Sequence, residues 1–218
     1  MPRTATLRVH PVLAAAGFWL AVLLSLVVGL ASLRYLAGDP RMAGDGIRAS
    51  MVANGWIFVT HAAAAALALI LGGFQFVGGL RRRAAGLHRW SGRMYVAACV
   101  AGAAAALWIA PDAEGGRLAG FGFSVLAAVW LYTTLTGWRL AMQRDFTAHR
   151  RWMIRSFALT FGAVTLRLQL VLFQALGFGG YVELSPLLAY SSWIPNLLAV
   201  ELAFMLAAAS AAASRQPA

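Results

Sequence analysis

Six apolar runs, each close to the ~20 residues a helix needs to cross the hydrocarbon of a bilayer, constrain this chain more than any other feature. They fall at roughly 12–36, 56–79, 94–111, 121–142, 153–177 and 193–213, with boundaries good to a few residues. Composition agrees, since 61% hydrophobic and 11% charged residues lie far from the values of soluble domains. The expected fold is all-α, a polytopic membrane bundle of six transmembrane helices forming a single membrane domain over residues 1–218. Arg3 and Arg8 precede the first run as they would in a signal peptide. Its apolar stretch from Pro11 to Leu33 is longer than the core of a cleaved signal, so the run is read as an added N-terminal anchor.

A net charge of +11 would suggest nucleic acid in a soluble protein. Here the basic residues are all arginines, gathered mostly in the short gaps between apolar runs, which favours the lipid bilayer and its anionic headgroups as partners and excludes nucleic acid. One set of gaps holds Arg3, Arg8, Arg81, Arg82, Arg83, Arg89, Arg93, Arg139, Arg144, Arg150, Arg151, Arg155 and Arg215. The other holds Arg34, Arg41, Arg48 and Arg117. Positive residues accumulate on the cytoplasmic side, so both termini are expected inside, in a bacterial inner membrane. The outer gaps, Ala37 to Asn54 and Phe178 to Ser192, read as loops punctuated by Gly, Pro and Ser.

Two segments repeat. Aligning His88 on His149 aligns Arg89 with Arg150 and brings Arg93 within one position of Arg155, with Tyr95 and Phe157 two residues beyond. Helices 2–3 and 4–5 would then form two hairpins in parallel orientation.

The string His149-Arg150-Arg151-Trp152-Met153-Ile154-Arg155-Ser156, continuing to Thr165-Leu166-Arg167, resembles the bacterial multi-pass membrane proteins of domain-of-unknown-function family 2306. So do His61 with Gln75-Phe76, His88-Arg89 with Gly92-Arg93 and Tyr95, and Trp193 with Asn196 and Glu201. The resemblance covers most of residues 55–205 and owes little to helix 1. It implies an integral membrane protein and leaves the activity open.

Ionisable side chains inside apolar runs are costly and usually face the bundle interior, so they are the better pointers to a site. His61, Arg167, Gln174, Asn196 and Glu201 form the expected intramembrane cluster. Counting from the outer ends of runs five and six puts Arg167 about 15 Å deep and Glu201 about 12 Å deep, which predicts an ion pair between them. Ser156, Thr160, Arg167 and Gln174 share one face of run five. On run two, His61, Ala65, Ala68, Gly72, Gln75 and Gly79 mix polar with small residues, as a close helix contact requires. Pro195 reads as a tolerated first-turn proline at the outer start of run six.

His10 lies in the N-terminal tail. His88 and His149 enter helices from the same side, and across a bundle their imidazoles could take the iron of one b-type haem, with Arg93 and Arg155 on its propionates. No other metal is expected: Cys99 is the single cysteine, and two histidines without an acid or thiol are a weak zinc or copper set. No phosphate loop, His-Glu-x-x-His helix or serine elbow is present, so the chain is not read as an enzyme. The hypotheses are haem-based electron transfer with a quinone or other redox partner, small-solute or ion transport, and a non-catalytic structural or assembly component anchored by its arginines. Oligomeric state is left open.

Overall fold

A computed structural model describes residues 11–214; His10, Arg3, Arg8 and Arg215 lie outside them. Among the described residues there are no strands. Nine α-helices build six spans, each long and apolar enough to cross a membrane. Helix α1 (Pro11–Ser32) and a following 3₁₀ turn make the first, and α2 (Asp45–Gly72) the second. A short α3 (Gly78–Arg83) leads into α4 (Ala85–Ile109), which is followed by α5 (Gly116–Met142). The fifth span is α6 (Phe146–Thr160) with α7 (Gly162–Ala175), and the sixth is α8 (Tyr181–Ser191) with α9 (Ile194–Ala213). An even number of crossings brings Pro11 and Ser214 to the same end as the starts of α4 and α6, the arginine-rich end.

The most extensive contacts are α2 with α4 and α5 with α6, and α4 with α5 joins the two hairpins. The small-residue series on α2 makes the first contact close. Ala68 is fully buried, and a Cβ on Gly72 would lie 2.6 Å from a Phe157 ring carbon and 2.9 Å from one of Tyr95. Near its other end α2 kinks at Gly55, whose φ of 47° and ψ of −120° suit glycine alone. Gly79 of that series falls beyond α2, in α3.

The sixth span corrects two expectations. Residues 181–191 form a helix where Gly, Pro and Ser suggested a loop. Leu184, Leu188 and Ala189 are buried, α8 packs on α5, and the Gly180 N–H donates to Glu183 Oε2 at 2.9 Å, one half of a capping box. Pro195 consequently sits within the span, at a break between α8 and α9, not at its outer start. Proline has no N–H to offer the Ser191 carbonyl one turn back and its ring crowds that oxygen, so α8 ends there.

Side chains replace the lost backbone bonds, as a bilayer interior demands. Gln169 Nε2 donates to Ser191 O at 3.2 Å while Ser191 Oγ donates to Gln169 Oε1 at 2.9 Å. The Trp193 indole N–H donates to Ala189 O at 2.7 Å, and Asn196 Nδ2 donates to Ser192 O at 3.1 Å.

Candidate functional site

At the arginine-rich end, the histidines take their positions from a contact two turns deeper. Tyr95 Oη on α4 lies 2.9 Å from Ser156 Oγ and 3.0 Å from Thr160 Oγ1 on α6. His88 is seven residues before Tyr95, and His149 seven before Ser156. Seven residues are nearly two full helical turns, so each histidine lies on the same face as its partner in that contact, about 10 Å nearer the helix start. The two imidazoles therefore stand on the sides of α4 and α6 that this contact joins, at a similar level.

His149 Nδ1–H donates to Gly137 O at 2.8 Å, which fixes the ring and leaves Nε2 as its free lone pair. His88 Nδ1 is buried without a protein partner. Such a nitrogen is uncommon in a packed interior and is normally satisfied by water, an ion or a ligand.

Deeper in, the centre is closed by hydroxyls. Trp130 Nε1–H donates to Thr160 Oγ1 at 2.9 Å, and Thr134 Oγ1 lies 2.7 Å from Ser156 Oγ. Tyr95, Thr134, Ser156 and Cys99 have essentially no exposed surface. The buried half of the polar face expected on the fifth span, Ser156 and Thr160, belongs here. These two were expected on that face; their partners on α4 and α5 were not, because a tyrosine or tryptophan in an apolar run carries no signal of which helix it meets.

The expected Arg167–Glu201 pair does not form. Since α8 starts the sixth span at Tyr181, Glu201 lies roughly 30 Å along it and not near its outer end. Its partner is Arg155: Nη2 donates to Oε2 at 2.8 Å and Nε to Oε1. Arg155 also lies over the Trp152 and Phe204 rings, 4.8 and 5.0 Å from their centroids. Its guanidinium is thus engaged with α9. Arg93 is exposed. Arg81 and Arg89, at the same end, are exposed as well.

The remaining members of the expected cluster are dispersed. Asn196 Nδ2 donates to Thr165 Oγ1 at 3.0 Å and to Ala158 O at 3.3 Å, beside the break in the sixth span. Gln174 is exposed near the end of α7. His61 Nδ1–H donates to Gly102 O at 2.9 Å. With Arg167, His61 lines a cavity of about 540 Å³ in the half away from the arginine-rich end. Arg167 Nη1 donates to Ala163 O at 2.9 Å and Nη2 to Ser32 Oγ at 3.3 Å. Among the described residues, no group of three or more His, Cys, Asp or Glu could hold a metal.

Six apolar spans around buried polar contacts define a multi-pass helical membrane protein. A family model described as "Predicted membrane protein (DUF2306)" matches residues 58–204, and the chain belongs to that family. Helix α1 lies outside the match. No curated protein and no solved structure matches the chain.

Proposed function

We propose that the protein is an electron carrier of the membrane, with one b-type haem between His88 and His149. The observation that carries this reading is the shared level of the two imidazoles, with His149 held through Nδ1 by Gly137 O and His88 left with an orphan ring nitrogen. A carbonyl on Nδ1 is the usual device for aiming a ligating Nε2. When bound, the haem would supply a one-electron couple. Arginines of that end, Arg93 with Arg81 and Arg89, would hold its propionates. A quinone or other redox partner would meet it at that end.

Purified after expression with ample haem, the protein should have a Soret band and a sharp reduced α-band. Both bands should be lost in His88→Ala and in His149→Ala. A colourless protein that retains its helical circular dichroism sinks the reading.

The orientation that goes with it puts the arginine-rich end in the cytoplasm, by the excess of arginines there. Reporter fusions after Arg83 and Arg144 should give cytoplasmic activity and fusions near Asp112 and Glu183 external activity. The reverse pattern would invert the assignment.

A further inference from the structure

The 540 Å³ cavity beyond the hydroxyl network is of the size that takes small organic ligands, and its walls are mostly apolar. Within it Arg167 carries a full charge and five N–H donors. Its two acceptors, Ala163 O and Ser32 Oγ, are both neutral. The cavity's other arginine, Arg34, donates to Tyr35 Oη at 2.9 Å. Among the described residues Glu114 is the sole carboxylate of the lining, and neither a hydrogen bond nor an ion pair joins it to Arg167. Arg167 is thus a half-buried cation at a mostly apolar cavity with no carboxylate bonded to it, an arrangement that carries a desolvation cost unless an anion offsets it.

The wall selects the kind of anion. Val27 on α1 and Val171 on α7 both line the cavity and are both more than half exposed on the outer surface of the bundle. The cavity therefore opens along the seam between α1 and α7, which faces lipid. A hydrated inorganic anion would leave this apolar volume unfilled. An acyl chain with an ionised head fills the volume, and its carboxylate matches the planar fork of a guanidinium.

We propose that this cavity binds a single-tailed amphipathic carboxylate, its head on Arg167 and its chain along the apolar wall, admitted laterally from the bilayer between α1 and α7. The first span, outside the matched family region, supplies Ser32 at the end of α1 and Tyr35 from the 3₁₀ turn that follows. Ser192, beside the break in the sixth span, adds a buried hydroxyl that has no protein partner.

The test uses the full chain in phosphatidylcholine nanodiscs at pH 8, loaded with a dansyl-labelled undecanoate, with protein-free discs as baseline. Decanoate should displace the probe at least tenfold better than its methyl ester, which has the same chain and no charge. Arg167→Gln should abolish that preference and leave displacement by the ester unchanged. Ala65→Phe, which fills the cavity and keeps the charge, should weaken acid and ester alike.

Equal displacement by acid and ester in the unaltered protein overturns the proposal, and this arm needs no variant to fold. Retention of the tenfold preference in Arg167→Gln overturns it as well. Displacement by phosphatidylglycerol but not by decanoate would assign the cavity to a membrane lipid and overturn the single-tailed reading.

Discussion

The two halves of the bundle treat the same residue in opposite ways. Toward the arginine-rich end, Arg155 has a carboxylate in two-point contact and two aromatic rings beneath it. In the other half Arg167, twelve residues further along the same span, has two neutral acceptors and a cavity. Packing follows the same division: Tyr95, Thr134, Ser156 and Thr160 close the centre with mutual hydrogen bonds, whereas the half above them leaves a cavity lined in part by alanines of α2. The centre, where hydroxyls are matched to one another, has little left to bind, and a half with an unmatched charge beside a void is suited to a ligand.

The sharpest way to break this comparison is to make one substitution in both places. Arg155→Leu strands Glu201 and should destabilise the protein by about 2 kcal/mol; the usual cost of breaking a buried pair is discounted because the Glu201 side chain is 39% exposed. Arg167→Leu removes an uncompensated charge and should be neutral or stabilising in the absence of ligand. Both are read by dodecyl sulfate titration in mixed micelles. In a double-mutant cycle, Arg155→Leu with Glu201→Leu should couple, and Arg167→Leu with Glu201→Leu should add. Equal losses for the two arginines would erase the distinction between the halves.

Why the sequence misassigned the partner of Glu201 is instructive. The number of spans and the small-residue face of α2 were legible because hydropathy and residue size are local properties. Pairing across helices depends on depth, and depth depends on where a span begins. Gly179, Gly180, Ser185 and Pro186 outvoted the helical signals in residues 178–192, although Glu183 three residues after Gly180 and the i, i+4 pair Leu184 and Leu188 were there to be read. Twelve residues of error moved Glu201 from one half of the bundle to the other. The cavity had no local signal, since it is made of what six helices fail to fill.

The break between α8 and α9 borders both halves and allows a finer test of how polar groups are satisfied. Ser191 O lacks a backbone donor because the residue four positions on is Pro195, and Gln169 supplies the missing N–H from α7. Gln169→Leu should therefore cost about 1–2 kcal/mol, the penalty for a buried carbonyl left without a donor. Pro195→Ala returns an N–H at the position where a continuous helix would present it, so in that background Gln169→Leu should cost much less. The same titration measures both, and the expected sign of the coupling is set by one hydrogen bond. If Gln169→Leu is equally costly with alanine at 195, the amide stabilises α7 against α8 through Ser191 Oγ instead, and the break is maintained by Trp193 and Asn196 without it.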